Sequence, residues 1–340
     1  MIVGLTYDLR RDYLAQGYSD EEVAEFDSEE TITAIEDAIC SLGYKTDRIG
    51  SARSLCSRLA TGEKWDLVFN IAEGLSGRFR ESQVPSLLEM YGIRYTFSDP
   101  LSCAVTLDKS LAKQLISSAG LPTAKFKVVN DVRQLRGISL RKSRKGRLTA
   151  ESIGLEYPLF AKPVAEGTGK GINHNSQIKS PEQLTEVCEY LLKCFAQPVL
   201  IEEFLPGREF TAGVLGNGSD AYVLGIMEIR LPYDAEGGIY SYVAKEQCEK
   251  LVDYVPYPKG SLYKQLEKLA LDSYNVLQCR DAARVDIRGD RSGNPCFLEI
   301  NPLPGLHPTH SDLPMIATQQ GMKYTELISA IINSALSRSN

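Results

Sequence analysis

Histidine is scarce in this 340-residue chain: three residues, at positions 174, 307 and 310, are too few to suggest a histidine-based catalytic or zinc site. Its eight cysteines, at 40, 56, 103, 188, 194, 248, 279 and 296, show no CxxC or Cys/His spacing. That scatter argues against a zinc cluster and against a disulfide framework, and fits a reducing compartment. No apolar run approaches the length of a membrane span, and residues 1–6 run into charge too soon for a secretory signal, so the expectation is a cytoplasmic protein with no membrane partner. An excess of basic charge is also missing. With 38 Lys and Arg against 44 Asp and Glu the net charge is −6, which argues against a general affinity for nucleic acid. The one basic cluster, residues 141–147, reads as an exposed loop, with nucleotide contact as the lesser alternative. Internal repeats, a Walker A loop and a Rossmann fingerprint are absent as well.

What remains is an ordinary globular composition, 43% hydrophobic and 24% charged, in a chain long enough for two or three domains. Residues 2–6 read as a buried strand, 28–42 as an amphipathic helix ending at Gly43, 66–70 as a second strand, and 84–91 as a helix behind a glycine-bearing loop. Strand, loop and helix in that order predict α/β structure with a parallel sheet. Ligands of such sheets lie at the carboxyl ends of the strands, which puts Glu73 and Glu81 at the edge of a candidate site; each is equally readable as a surface or helix-start carboxylate. A second region holds a helix over 110–119, a break at 120–122, and strands at 126–129, 159–163 and 199–204. A third, from about Pro206, holds strands at 210–215 and 222–229, a glycine-rich loop to Tyr242, a helix over 261–277 and a hairpin. The expected divisions are 1–105, 106–205 and 206–340.

The hairpin, residues 283–308, is the stretch around which the chain is organised. Its arms, 283–287 and 297–301, alternate apolar and polar residues at period two, so Arg284 and Asp286 share one face of the first arm and Glu299 and Asn301 one face of the second. If the arms pair in register, the four polar groups converge. Asp, Glu and Asn supply oxygen donors suited to magnesium held jointly with phosphate, and Arg284 places a fixed positive fork beside them. The alternative is a solvated face of an antiparallel sheet. Pro302, Leu303, Pro304 and Gly305 then force an irregular backbone where a bare amide can approach a substrate oxygen.

Two further stretches carry chemistry. A strand ending at Lys162 leads to Glu166, Gly167, Thr168, Gly169, Lys170 and Gly171, a loop whose amides can wrap phosphate oxygens. The apolar strand at 199–201 turns polar at Glu202 and Glu203 and continues through Phe204 and Leu205 into a second strand, a crossover able to offer backbone groups to an adenine.

In order and spacing, Lys109, Lys162, the glycine loop, the 202–209 segment and the set Arg284, Asp286, Glu299 and Asn301 resemble the ATP-grasp superfamily, and within it the D-alanine:D-alanine ligases. The resemblance covers nearly the whole chain. It implies a three-region ATP-grasp fold with ATP and Mg²⁺ between the second and third regions. Lys109, Lys162, Glu166, Gly167 and Thr168 would lie about the phosphates, Glu202, Glu203, Phe204 and Leu205 at the adenine, and Glu209 at the ribose. Asp286, Glu299 and Asn301 would hold the metal, Arg284 and the Gly305 amide an oxyanion, and Lys245 would ride on a loop closing over the γ-phosphate. It implies an amide-forming ligase of amino acids or small peptides that works through an acylphosphate, and a homodimer.

The chain departs from that family in places. Glu73-Gly74 stands where His-Gly is usual, Glu246 where an aromatic follows the loop lysine, and Thr168 replaces a serine. Extra acidic groups near the acceptor would favour a cationic or polar amino substrate. Ser311 is the best counterpart of the serine that touches a substrate carboxylate, and the carboxylate for the first amino group falls at Asp27, Glu29 or Glu30. Two other readings stay open: a ligase for a different amino acid or metabolite pair in specialised metabolism, and a non-catalytic nucleotide-binding protein.

Overall fold

Buried apolar runs at Ile2–Thr6 and Leu67–Asn70 pair in parallel at the middle and one edge of a three-stranded sheet, with Lys45–Gly50 on the other edge. The computed structural model describes residues 1–135, 140–142, 148–150, 153–230 and 252–338. Against this sheet packs the helix Glu29–Ser41, started by Ser28, whose side chain accepts a hydrogen bond from the Thr31 amide. Ile32, Ile35 and Ile39 recur at helical spacing and are almost fully buried. The core they enter also contains Leu327, Ile328, Ile331 and Ile332 from the helix Tyr324–Ser337. The two ends of the chain therefore share one hydrophobic core.

The second sheet is antiparallel, in the order Phe126–Val129, Val199–Glu203, Leu159–Pro163, Gln177–Ile178. The helix Pro181–Phe195 covers one side of it with Leu184, Cys188 and Leu191. The third sheet is antiparallel too, in the order Asp253–Pro256, Tyr222–Arg230, Glu209–Leu215, Ala282–Gly289, Pro295–Asn301. Ala283, Val285 and Ile287 point into a core with Tyr263, Leu266 and Ala270 of the helix Ser261–Val276. Period-two alternation then turns Arg284 and Asp286 to the opposite face.

The expected strands and helices of the first 130 residues are present within a residue or two. The strand Lys45–Gly50 and the helices Ala52–Ala60, Pro100–Leu107, Pro181–Phe195, Asp312–Gln319 and Tyr324–Ser337 are additional to those expected. Thr106, next to the expected first division, lies inside the helix Pro100–Leu107, and Asp108 caps the following helix Lys109–Ser118 by accepting from the Ser110 and Leu111 amides. The basic cluster is not simply a loop: Leu140–Lys142 pairs antiparallel with Leu148–Ala150, which puts Arg141 and Lys142 in a strand, and 143–147 lie outside the described residues. Among the described residues no helix is long and apolar enough to cross a membrane.

Candidate active site

The hairpin arms pair in the register that brings their polar residues together: Arg284 lies opposite Asn301 and Asp286 opposite Glu299. Asp286 Oδ1 accepts a hydrogen bond from Thr211 Oγ1 at 2.8 Å, across the neighbouring strand. Arg284 is held as a fork between two carboxylates, 3.1 Å from Asp286 and 3.1 Å from Asp312. Lys109 Nζ stands 3.4 Å from Glu299 Oε2, and Asn301 Oδ1 accepts from the Leu303 amide at 3.1 Å. Each polar group thus has a fixed direction before any ligand arrives.

Lys162 and Glu202 sit side by side on neighbouring antiparallel strands, and Lys162 Nζ lies 3.0 Å from Glu202 Oε1. A second ammonium, from the fully buried Lys113, lies 2.9 Å from the other oxygen. Burial alone would raise the Glu202 pKa, but Lys113 and Lys162 outweigh it and bring the carboxyl down to about 2. The Glu202 side chain is therefore an ionised link between two lysines. Nothing in the sequence around Lys113 sets it apart from the other polar residues of its helix.

Around Lys162 and Glu202 a narrow slot opens between the second and third sheets. Phe160, Ile172, Phe204, Leu205 and Leu298 form its apolar walls, with Glu209, Asp286 and Glu299 at its polar end. Glu209 is paired to Arg288 at 2.9 Å. Glu203, which also lines the slot, turns one side-chain oxygen to the Glu156 amide, accepting at 3.1 Å.

The glycine loop is tied to the first region by a carboxylate that the sequence reading had not singled out. Glu25 accepts from the Gly167 amide at 2.6 Å, from Arg80 at 3.0 Å and from Lys170 at 3.1 Å. Lys170 also reaches Glu166 at 2.6 Å, and Arg80 donates to the Ala165 carbonyl at 2.9 Å. Burial disfavours the Glu25 charge, yet Arg80 and Lys170 hold its pKa below the ordinary value. A Cβ at Gly167 would meet Glu25 Oε1 at 2.2 Å, so a larger residue there would displace the Glu25 carboxylate from the loop amide.

Beyond the loop lies a chamber of about 340 Å³. Arg284, Asn301, Gly305 and Ser311 line one side, and Asp27, Glu73, Glu81 and Thr168 the other. A Cβ at Gly305 would come within 2.7 Å of Ser311 Oγ, which itself accepts from the His307 amide at 3.0 Å. Of the three carboxylates considered for an amino group, only Asp27 lines this space. Glu29 pairs with Arg48, and Glu30 is exposed and lies 3.5 Å from His307. Burial and then the neighbouring Asp8 raise the Asp27 pKa to about 7. Glu81 is also pushed up to about 7, first by burial and then against the opposing pull of Arg80, while Glu73 is raised by burial and by Glu81. Lys245 and Glu246 lie outside the described residues.

The model for the D-ala D-ala ligase C-terminus matches residues 115–333. A D-alanine–D-alanine ligase of Chelativorans sp. (strain BNC1) is 31% identical over 88% of this chain and 90% of its own. This chain belongs to the D-alanine–D-alanine ligase family. An uncharacterized protein, y4sG, of Sinorhizobium fredii is 33% identical over 79% of this chain and 74% of its own. Among solved structures, the family fold recurs in the D-alanine–D-alanine ligase of Bacillus anthracis complexed with ATP, with TM-score 0.71, 21% identity and coverage of 99% and 97%. It recurs also in the VanG D-Ala:D-Ser ligase of Enterococcus faecalis, with TM-score 0.71, 21% identity and coverage of 98% and 99%.

The hairpin's donors fit a magnesium ion. Among the described residues no three His, Cys, Asp or Glu side chains form a metal cage, and the set here is two carboxylates and one amide oxygen. A small hard cation that keeps several waters and shares phosphate oxygens needs only one or two carboxylates from protein.

Proposed function

We propose that this member of the D-alanine–D-alanine ligase family is an ATP-dependent carboxylate–amine ligase that joins amino acids or small peptides and releases ADP and phosphate. The observation that carries this reading is the position of the paired strands 282–289 and 295–301. Asp286 and Glu299 line the slot, whereas Arg284 and Asn301, two residues along each strand, line the chamber. A nucleotide in the slot and an amino acid in the chamber would meet at this face.

Phosphorylating a carboxylate brings two anions together, and fixed cations lower that repulsion. Lys109 and Lys162 fill that role beside the phosphates, with Glu166, Gly167 and Thr168 of the loop over them. The slot's apolar walls and the 202–205 backbone suit adenine, and Glu209 suits a ribose hydroxyl. Magnesium held by Asp286, Glu299 and Asn301 would supply charge neutralisation across the phosphate oxygens. Arg284 and the Gly305 amide face the point where an acyl oxygen gains charge as the amine attacks, and Ser311 can hold a substrate carboxylate by hydrogen bond. An acylphosphate hydrolyses in water, so the chamber has to close during the reaction; Lys245 belongs to the segment assigned to that closure. The functional divisions are proposed as 1–105, 106–205 and 206–340, the first boundary falling within the helix Pro100–Leu107, and the working form is proposed as a cytoplasmic homodimer.

The test is release of ADP and phosphate from ATP and magnesium with D- and L-amino acids supplied singly and in pairs, and products identified by mass. A dipeptide formed in equal amount with ADP supports the reading. ADP without any amide product would refute it.

A further inference from the structure

Electroneutrality of the chamber points to what it takes. An ordinary amino acid brings one ammonium and one carboxylate; Ser311, the Gly305 amide and the Arg284 guanidinium, whose charge is shared with Asp286 and Asp312, suit the carboxylate, and Asp27 suits the ammonium. That leaves Glu73 and Glu81 on the same wall. Of the charged groups that face Glu81, Arg80 is already bound to Glu25, and Lys109 is taken up by Glu299 and by the Glu166 carbonyl. The charged groups that act most strongly on Glu73 are Glu81, Glu25, Arg80 and Asp27, three of them carboxylates.

Glu81 is 7% exposed, it lines the chamber, and its Oε2 is buried without a hydrogen-bond partner. A carboxyl oxygen in that condition has lost its hydration with nothing to replace it. Its residue neighbours explain how it is held there. The short helix Arg80–Ser82 precedes the helix Gln83–Met90, with the Ser82 hydroxyl bound to the Pro100 carbonyl at 2.8 Å, and Arg80 is fixed by Glu25 and Ala165. This backbone delivers Glu81 to the chamber rather than to solvent. Burial and the mutual repulsion of Glu73 and Glu81 both favour an arriving cation, because one ammonium relieves both at once.

We propose that the acidic wall formed by Glu73 and Glu81 is a recognition site for a second ammonium group, so that one of the two joined substrates is a diamino acid or another amino acid with a cationic side chain. This rests on the ligase reading for the identity of the chamber, and it goes beyond it by naming the substrate class. Glu73 and Glu81 act in binding, while phosphoryl transfer stays with the hairpin and the lysines. A chamber of about 340 Å³ has room for such a side chain beside a backbone-sized partner.

The experiment compares matched pairs of ligands that differ by the charge: 2,3-diaminopropionate against serine, and ornithine against norvaline, in both chiral forms. Binding to the full chain with ADP and magnesium is read by calorimetry, and ADP formation from ATP is read in parallel as kcat/KM. The cationic member of at least one pair binds about tenfold or more tighter to the wild type. In Glu81→Gln and in Glu73→Gln that ratio falls to within about threefold of unity, with kcat for neutral substrates less affected than KM for cationic ones. Equal binding of the two members in the wild type overturns the proposal, and so does a preference that survives both substitutions. Loss of kcat for all substrates alike, with the ratio intact, overturns it too, since that is the mark of a proton acceptor. If no amino acid supports ADP formation while the cationic preference in binding holds, the ligase reading fails and the acidic wall stands. If neutral amino acids are joined and cationic ones neither bind nor react, the reverse is true.

Discussion

Asp286 stands directly across the hairpin from Glu299, and the same strand pair sets Arg284 opposite Asn301 two residues further along. One antiparallel register therefore fixes four chemically distinct groups, and no loop has to fold to bring them together. Asp286→Asn keeps shape and the Thr211 hydrogen bond while removing charge. Phosphate release should fall at least about 100-fold, as for loss of one preorganised electrostatic group, with the melting temperature within a few degrees of wild type. Unchanged turnover in this variant would contradict the metal assignment.

Lys113 is fully buried and reaches Glu202 at 2.9 Å and Thr123 at 2.8 Å. Lys113→Met leaves Glu202 with half its compensation, and breaking a buried pair from one side costs about 3 kcal/mol. Urea unfolding should show that loss, and the double variant Lys113→Met with Glu202→Gln should recover part of it because the stranded charge is gone.

Two carboxylates should give opposite pH signatures. The Glu202 pKa is held near 2, below its ordinary 4.5, so its contribution to stability is present above pH 4.5 and is lost as pH falls through 2. A depression of that size corresponds to roughly 3 kcal/mol. Glu81 is raised to about 7, so the native state is favoured below pH 4.5 and that advantage is lost as pH rises through 7. Glu81→Gln should therefore raise the melting temperature by a few degrees at pH 8 and change it little at pH 4. A stabilisation confined to pH 4 would reverse the sign and exclude a buried, raised carboxyl at this position.

Gly305 approaches Ser311 so closely that an added methyl group would sit 2.7 Å from the hydroxyl. Gly305→Ala should lower kcat at least about tenfold by displacing the amide, and combining it with Ser311→Gly should restore room and part of the rate. Steady-state kinetics of the single and double variants reads this directly.

Much of this was legible in the sequence for one reason: alternation at period two is a local signal, and it gave the hairpin, its four polar residues and their common face. The phosphate-side lysines were legible because each closes or follows a recognisable element. Glu25 was not, since its partners Arg80, Gly167 and Lys170 lie 55 to 145 residues away and nothing in its own neighbourhood marks it out. The choice among Asp27, Glu29 and Glu30 needed a fold as well, because only the start of the helix Glu29–Ser41 decides which carboxylate faces the chamber. The packing of Ile328 and Ile331 against Ile32 and Ile35 joins the two ends of the chain, a contact with no sequence period to announce it.

The central claim is that nucleotide and amino acids meet at the hairpin and leave as ADP, phosphate and an amide. It is tested most directly by mass analysis of reactions containing ATP, magnesium and pairs of neutral and cationic amino acids, with Asp286→Asn run alongside. The account predicts one amide product per ADP, dependent on magnesium and lost in the variant. ATP turnover that yields no amide across the panel, or an amide yield unaffected by Asp286→Asn, would contradict it.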